Sequence, residues 1–492
     1  MESEAKQEVS LFQAALPILV LAALVVYGLI LRPLVLDEPA YPLEIVFLVS
    51  AGFAVAELLF LGFGWKRIEQ AILAKMMAAL PAFFILFSIG LVIGSWMVCG
   101  TIPMMVYFGL QWVDPSWIYL FAFLVPAIFS ILTGTSWGSA GAVGIVVVGI
   151  GQALGAHLGI VAGAVIGGAY FGDKMSPLSD TTNLAALAAE VDLFDHIRSM
   201  MVTTVPAAVL AAIAYLGLGF AYPPTSGLED LATQRVFLDS LAAIFDFAPW
   251  LLLPPLIVLL GSLWKRPTVP TLALSTATAT VLAILEQRFT LTSIFETLRD
   301  GFDLSMVTWL GEDVTTLPPE VAVLVERGGL YALIEPIVVA LIVFVFIGAL
   351  EPIRAMPRVI GQFFRLARGR VSTVLATLVA TATTSALTGN QYATSFIVAD
   401  ALKSRYDALG ISRQVLSRSL EDLGTMLESL VPWTPTTIFM VATLGVAYVE
   451  YAPWQLLSLL NLVIAPAVAI LGIGYFDSVA RGETIEGEES DG

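Results

Sequence analysis

Long apolar stretches separated by short polar segments run along most of the chain. Eight of these stretches are long enough to cross a lipid bilayer, because about 20 apolar residues span its hydrocarbon core. They occupy residues 11–31, 42–64, 78–97, 200–220, 241–263, 268–285, 331–350 and 453–475. The pattern predicts an all-α polytopic membrane protein, because a helix satisfies its own backbone hydrogen bonds in lipid.

Two regions interrupt this pattern in the same way. Residues 117–155 and 371–404 each contain two apolar arms joined by a glycine and several polar residues, which is typical of a re-entrant hairpin. Each is followed by a helix that polar residues and a proline interrupt, over 158–190 and 412–449. Interrupted helices expose half-helix ends, from which membrane transporters build ion sites. We therefore predict two hairpins and two broken helices around one site.

A shift of 255 residues superimposes the two interrupted regions. It aligns Asp173 with Glu428, Pro177 with Pro432, Thr181 with Thr436, Thr133 with Thr388 and Gly134 with Gly389. Corresponding interruptions in two halves of a chain are typical of duplicated transporter folds. The spacing predicts an internal duplication.

Basic residues indicate how the halves are oriented. They cluster in residues 65–75, 265–266, 354–370 and 403–418, which the positive-inside rule assigns to the cytoplasm. A path with both termini in the cytoplasm satisfies all of these clusters, with ten spans and two hairpins. Each half then crosses the membrane an odd number of times, so the two repeats are predicted to be inverted.

The predicted organisation divides the chain into five parts. They are a cytoplasmic segment 1–10, a first inverted repeat 11–220, an external linker 221–240, a second inverted repeat 241–475 with an external loop 286–330, and an acidic tail 476–492.

Composition narrows the function. A mean hydropathy of +0.89 with 13% charged residues excludes an ordinary soluble enzyme. The single cysteine excludes an intramolecular disulfide framework, and the net charge of −17 argues against a nucleic-acid partner. The sequence has no paired catalytic histidines, nucleophile motif or phosphate-binding loop, so we expect neither an enzyme nor a cofactor.

The polar residues of the tips and interruptions are mostly oxygen-bearing, and hard cations such as Na⁺ prefer oxygen ligands. A carboxylate that binds either a proton or a cation is a minimal exchanger. The candidate cation- or proton-binding residues are Thr135, Ser136, Asp173, Ser176, Ser179, Asp180, Thr181, Thr182, Asn183, Asn390, Gln391, Glu421, Asp422, Thr425 and Glu428. Na⁺ itself is expected at Asp173, Asp180, Thr135 and Asn390.

Two basic residues are expected to form ion pairs beside these groups. Lys174 is adjacent to Asp173 and can neutralise it, while Arg418 lies four residues before Asp422 on one helical face. Ser176 and Ser179 have a structural alternative, because hydroxyls also satisfy the carbonyls of a broken helix.

Several motifs resemble the NhaC-type sodium/proton antiporters of the ion transporter superfamily. They are Gly134–Gly138, Gly172–Leu184, Leu193–Ile197, Thr388–Tyr392, Leu420–Asp422 with Gly424–Thr425, and Pro432–Trp433. The resemblance implies cation/proton exchange, inverted repeats and a homodimer. Two positions depart from the family pattern: Ala186 stands where a proline is common, and Glu428 where a small neutral residue is expected.

The leading function is Na⁺/H⁺ exchange across the cytoplasmic (inner) membrane, with Li⁺ as a further candidate cation. Some relatives exchange organic acids such as malate and lactate with coupled ions. An Na⁺- or H⁺-coupled organic-anion exchanger is therefore the alternative.

Overall fold

The computed structural model describes residues 9–224, 231–353, 369–389 and 391–475, and these residues form helices without a β-strand. In the first half, the α-helices are α1 (Leu11–Val25), α2 (Arg32–Val35), α3 (Leu43–Phe60), α4 (Trp65–Val98), α5 (Thr101–Trp112), α6 (Ile118–Thr133), α7 (Ser136–Ser139), α8 (Ile145–Ala153), α9 (Leu158–Met175), α10 (Asp180–Ala189) and α11 (Leu193–Ala221). In the second half, they are α12 (Leu231–Ile244), α13 (Leu253–Leu263), α14 (Thr268–Glu286), α15 (Leu291–Asp300), α16 (Pro319–Val325), α17 (Ile334–Leu350), α18 (Arg370–Thr388), α19 (Gln391–Ala408), α20 (Arg413–Leu420), α21 (Met426–Glu428), α22 (Pro435–Leu444), α23 (Tyr448–Tyr451) and α24 (Leu456–Leu471).

The all-helical prediction is confirmed for the described residues. In the described part of the chain, eight helices are long and apolar enough to cross a membrane, and the number rises to eleven if each bent helix pair is one span. The eight include the arms Pro115–Thr133, Ser136–Ala153 and Arg370–Thr388, which the sequence assigned to re-entrant hairpins. The predicted span 241–263 is sharply bent, since Arg235–Ile244 and Pro249–Leu263 meet at 93°. Pro249, Pro254 and Pro255 follow the bend and prevent a continuous helix.

The outer helices present apolar side chains to their surroundings. Phe60, Leu285 and Leu471 are 91%, 70% and 70% exposed. A soluble protein rarely exposes so many large apolar side chains, whereas lipid solvates them well. Together with the long apolar helices, these faces identify an integral membrane protein.

Two turns and two helix breaks form the centre of the fold. α6 and α7 meet at Gly134, and α18 ends at Gly389; both glycines are left-handed, with φ of 70° and 57°. The first broken helix consists of α9 and α10, which are separated by residues 176–179. The second consists of α20, the π-helical turn Glu421–Thr425, α21 and α22, with a break over residues 429–434.

Small residues let α6 and α9 pack closely. A Cβ at Gly168 or Gly172 would strike the backbone of α6 at Phe123 or Ala127. Close backbone approach at small residues is the usual packing mode between helices in membranes. It holds the first tip against the break in α9.

The connecting segments contain helices of their own. α12 begins within the predicted linker 221–240, and α15 and α16 lie within the predicted loop 286–330. The predicted segment 1–10, apart from its last two residues, and the tail 476–492 lie outside the described residues.

Candidate ion-binding site

A cavity of about 460 Å³ lies where both tips and both helix breaks meet. One wall is polar, and the other is formed by apolar side chains of α4, α13, α14 and α17, such as Ile85 and Phe344. The cavity extends to the turn between α13 and α14, where Arg266 and Thr268 are exposed. The predicted site residues that line it are Thr135, Ser136, Asp173, Asp180, Thr181, Gln391, Thr425 and Glu428.

The first tip contacts the first break through Asp173. The Ser136 hydroxyl donates a hydrogen bond of 2.8 Å to Asp173 Oδ2. Asp173 is 3% exposed, and its Oδ1 has no hydrogen-bond partner among the described residues. Thr135 caps α7 by accepting from the Gly138 N–H, which orients the tip. Asp173 therefore has one acceptor oxygen available for a ligand.

The second tip contacts the second break through Glu428. The Gln391 backbone N–H donates to Glu428 Oε1, and the Thr436 hydroxyl donates to Oε2, both at 3.1 Å. Both carboxylate oxygens of Glu428 are thus hydrogen-bonded. Asn390, the other residue predicted at this tip, lies outside the described residues.

Asp180 connects the two halves across the cavity. It begins α10, its side chain is exposed towards the cavity, and its Oδ2 accepts a hydrogen bond of 2.7 Å from the Tyr392 hydroxyl. Thr181 lines the cavity beside it and is 3.0 Å from the Ser179 hydroxyl. A residue of the second half therefore contacts this second cavity carboxylate, which belongs to the first half.

The other predicted oxygen ligands of the first break bond to backbone atoms and do not line the cavity. Ser176 donates to the Ile131 carbonyl at 2.7 Å, and Ser179 caps α10 by accepting from the Thr182 N–H. Thr182 donates to the Asp173 carbonyl before the break, and Asn183 donates to the Pro177 carbonyl within it. These four residues stabilise the interruption, because its freed carbonyls and N–H groups need partners.

The same contacts recur at the 255-residue spacing. Equivalent pairs are Ser136–Asp173 and Gln391–Glu428, Thr133–Ser139 and Thr388–Thr394, Ser130–Ala169 and Ser385–Gly424, and Ser179–Thr182 and Thr434–Thr437. α10 and α22 also begin and end at equivalent residues, and each is followed by a left-handed residue, Glu190 or Gly445. The alignment seen in the sequence therefore corresponds to equivalent local contacts.

Behind the cavity lies a buried ion pair that the sequence did not indicate. Lys174 Nζ is 2.9 Å from Asp422 Oδ1, instead of pairing with the adjacent Asp173. Thr203 donates to the same oxygen at 2.8 Å, and Asn461 donates to the Asp422 carbonyl. Arg418, the predicted helical partner, is farther away, with Nε 3.9 Å from Asp422 Oδ2. Lys174, Arg418, Glu421 and Asp422 do not line the cavity.

Four further residues of the site were not among the predicted ligands. The sequence marks Tyr392 only as the end of the Thr388–Tyr392 motif and Arg266 only as part of a basic cluster, and Thr203 and Asn461 lie within apolar spans. A lone asparagine in an apolar span is a usable signal, because polar groups are costly in the membrane interior. The hydroxyl of Thr203 gives a weaker signal, since threonine is common in transmembrane helices.

The arrangement suits a hard monovalent cation. Asp173, Asp180 and Glu428 supply carboxylates, and the tips add hydroxyl and amide oxygens. Among the described residues, no group of three or more His, Cys, Asp or Glu side chains forms a metal-binding cluster. The chemistry available is reversible binding of a cation or a proton.

A polytopic helical protein whose interrupted helices and hairpin tips surround one carboxylate-lined cavity has the architecture of a membrane transporter. Comparison with known proteins identifies the kind of transporter. The chain belongs to the Na⁺/H⁺ antiporter family, whose model matches residues 168–473. This is a family of antiporters and not of enzymes.

The relatives agree with this assignment. The chain is 37% identical to an uncharacterised Na⁺/H⁺ antiporter of Haemophilus influenzae, over 94% of this chain and 96% of the relative. It is 34% identical to the Na⁺/H⁺ antiporter NhaC of Alkalihalophilus pseudofirmus, over 89% and 91%. It is also 31% identical to the malate-2H⁺/Na⁺-lactate antiporter of Bacillus subtilis, over 91% and 93%. The resemblance to NhaC-type antiporters is confirmed.

Proposed function

We propose that this protein exchanges Na⁺ for H⁺ across the cytoplasmic membrane by alternating access, with Asp173 at the centre of the cation site. The supporting observation is the shared cavity, into which the equivalent pairs Ser136–Asp173 and Gln391–Glu428 both project. Asp173 combines deep burial with an acceptor oxygen that lacks a partner among the described residues. Na⁺ binding there completes the coordination of that oxygen, and a proton occupies the same group when Na⁺ leaves.

The two halves act as inverted repeats in this proposal. Equivalent contacts at the 255-residue spacing and their convergence on one cavity support a pseudo-two-fold axis through the site. Exchanging the conformations of two such halves would expose the same carboxylates to the opposite side. The positive-inside rule assigns the Lys265–Arg266 turn, to which the cavity extends, to the cytoplasm. The structure would then be the inward-facing state, with both termini cytoplasmic.

Competition at a shared carboxylate predicts how transport depends on pH. If Na⁺ and H⁺ bind Asp173 alternately, a tenfold rise in proton concentration raises the apparent KM for Na⁺ by up to about tenfold. The maximal rate changes less. Saturation curves at several pH values distinguish this from a proton site that acts only on the rate.

The direct test uses everted membrane vesicles with a pH-sensitive dye and additions of Na⁺, Li⁺ or K⁺ in turn. Wild-type vesicles should release their proton gradient on addition of Na⁺, and Asp173→Asn should abolish that response. Glu57→Gln is the matched control, because Glu57 lies within α3 but does not line the cavity. Wild-type exchange in Asp173→Asn would refute the assignment of the site.

Exchange of organic acids is the second candidate, and Arg266 is the residue that favours it. A carboxylate substrate needs a cation, and Lys174 is held in the buried pair with Asp422. Arg266 instead lines the cavity and is exposed. Adding malate and lactate to the same vesicles, with Arg266→Gln as the comparison, tests this function. A malate response that Arg266→Gln removes would support the second candidate over the first.

A further inference from the structure

Four charged side chains lie together behind the cavity, with almost no exposure. Lys174, Arg418, Glu421 and Asp422 are 0%, 2%, 0% and 1% exposed. Burying ionic groups costs several kcal/mol per ion, of which only part is recovered by pairing. A cluster of this size therefore needs an explanation beyond stability.

Comparing the two halves of the chain shows whether the fold requires charged residues at these positions. Moving Arg418, Glu421 and Asp422 by 255 residues gives the neutral counterparts Gly163, Ile166 and Gly167 in α9. The counterpart of Lys174 in the second half is Ser429. The equivalent helix in the first half thus packs without these charges. Each charge of the cluster therefore has a neutral counterpart in the other half, and the cluster is not a requirement of the architecture.

Within the cluster, Asp422 has its partners and Glu421 does not. Asp422 Oδ1 receives Lys174 at 2.9 Å, Thr203 at 2.8 Å and Asn461 at 3.4 Å. Glu421 Oε2 accepts one hydrogen bond of 2.6 Å from Thr425, while Oε1 is buried and has no partner among the described residues. Asp422 is therefore fixed in an ion pair, whereas the charge of Glu421 can change.

A single side chain, that of Thr425, separates Glu421 from the cavity. Thr425, which donates to Glu421, itself lines the cavity. The π-helical turn Glu421–Thr425 sets this geometry, and such turns are frequent at functional sites. The other charged groups facing Glu421 are Lys174 and Asp173 from α9, Asp180 from α10, Asp422 and Arg418 on its own helix, and Glu428 of α21, with His196 of α11 beside Lys174. Gln391 and Ser395 of the second hairpin are neutral.

We propose that Glu421 is a second proton site, distinct from the cavity carboxylates and reached through Thr425. This inference rests on the proposed exchange function. In loading, a hydronium ion in the cavity gives a proton to the Thr425 oxygen and becomes water, while the proton of the Thr425 hydroxyl passes to Glu421 Oε2. Unloading reverses both transfers, so the hydroxyl is regenerated each time.

The charge count gives the consequence. When Glu421 is ionised, two cations and two anions balance behind the cavity; when it is protonated, one positive charge is left there. That charge repels Na⁺ from the cavity carboxylates at short range. Protonation of Glu421 thus favours Na⁺ release. Each transport cycle then carries one proton at Glu421 in addition to the protons that Na⁺ displaces at Asp173. Exchange should therefore respond to membrane potential.

The test is the number of protons transported per sodium ion. It is measured in liposomes at a clamped membrane potential, by finding the pH gradient at which a fixed Na⁺ gradient drives no net exchange. Wild type should move more than one proton per sodium ion. Glu421→Gln keeps the shape and removes the titratable group, but it leaves the positive charge behind the cavity in place. It should therefore bind Na⁺ more weakly and, at saturating Na⁺, exchange with one proton fewer per cycle. Thr425→Val should give the same reduced ratio with Glu421 still present, and Thr425→Ser should restore the wild-type value.

The outcomes separate this inference from the proposed function. Wild-type liposomes that show no Na⁺-dependent proton movement contradict the exchange function itself. Wild-type exchange with an unchanged ratio in Glu421→Gln overturns only the second proton site. If Glu421→Gln does not fold, Thr425→Val decides: a wild-type ratio in that variant overturns the proposal, and a reduced ratio rescued by Thr425→Ser supports it.

Discussion

Asp173 and Glu428 occupy equivalent positions but differ in how their oxygens are used. Ser136 donates to one oxygen of Asp173, and the other has no partner among the described residues. Both oxygens of Glu428 accept hydrogen bonds, from Gln391 and Thr436. A cation gains most where an acceptor is otherwise unpaired, because a buried unpaired acceptor is costly. We therefore expect Asp173 to be the better Na⁺ ligand of the two.

Ser136→Ala should weaken Na⁺ binding without destroying the fold. The variant removes the donor to Asp173, and a hydrogen bond to a charged group contributes about 1.5–3 kcal/mol. The apparent KM for Na⁺ should rise about tenfold or more, since 1.4 kcal/mol corresponds to a factor of ten. Ser130→Ala is the control, because Ser130 lies in the same hairpin as Ser136 and donates only to the Ala169 carbonyl of α9. Equal KM values for the two variants would contradict the role of Ser136.

At the scale of elements, each tip depends on a left-handed glycine packed against a helix break. A Cβ at Gly134 would lie 2.6 Å from the Leu178 carbonyl carbon and 2.8 Å from the Ser179 nitrogen. At Gly389 it would lie 2.9 Å from Pro435 Cδ. Any side chain at either glycine would push the tip away from the broken helix. The glycines therefore set the distance between tip and carboxylate.

Gly134→Ala should destabilise the protein and abolish transport. The left-handed conformation alone costs about 1–2 kcal/mol for a residue with a Cβ, and the clash adds to it. Gly445→Ala is a matched control, since Gly445 has the same φ of 70° but no atom within 4 Å of its added Cβ. Melting temperatures in detergent should fall clearly more for Gly134→Ala. Similar losses in both variants would mean that conformational strain, and not the contact with the break, dominates.

A surface ion cluster joins α10 to the second hairpin. Lys403 Nζ donates to Glu190 Oε1 at 2.8 Å, Arg413 donates to the other oxygen, and Arg413 also pairs with Asp407 at 2.8 Å. The hydrogen bonds from Lys403 and Arg413 lower the pKa of Glu190 below its ordinary value of 4.5. The cluster connects the end of the first broken helix to elements of the other half.

Glu190→Gln should lower the melting temperature at neutral pH. The size of this decrease should depend on pH. Because the pKa of Glu190 is lowered in the folded state, its contribution is complete above 4.5 and is lost as the pH falls through the folded-state pKa. The difference in melting temperature from wild type should therefore narrow below pH 4.5, and added salt should also reduce it. A difference that stays constant from neutral to acid pH would contradict this account.

Much of the site could be predicted because its signals are local. Prolines and polar runs in apolar helices marked both breaks, glycines marked both tips, and the 255-residue spacing related them. The pairing of Lys174 with Asp422 could not be predicted, because it joins residues 248 positions apart on different helices. The sequence also left open whether Ser176 and Ser179 bind the ion or the backbone. That choice depends on where the freed carbonyls point once the helices pack.

At the scale of the whole molecule, the cavity extends to the α13–α14 turn, where the lining residues Arg266 and Thr268 are exposed. Thr268→Cys should therefore react with a membrane-impermeant thiol reagent in everted vesicles and not in right-side-out vesicles. The sole native cysteine, Cys99, is buried and should not react. Ser458→Cys is the negative control, because Ser458 is 0% exposed. Labelling of Thr268→Cys only from the outside would reverse the proposed orientation.

The matched contacts of the two halves bear on the ancestry of the chain. Two identical half-length polypeptides inserted in opposite directions would supply Ser136–Asp173 and Gln391–Glu428 as one pair used twice. Such an ancestor could not place an aspartate on one side of the cavity and a glutamate on the other, nor keep Lys174 and Asp422 opposite serine and glycine. Fusion of the two genes removes that restriction, because each copy then accumulates substitutions independently. If the two halves descend from such a polypeptide, these asymmetric charges arose after the two copies became independent.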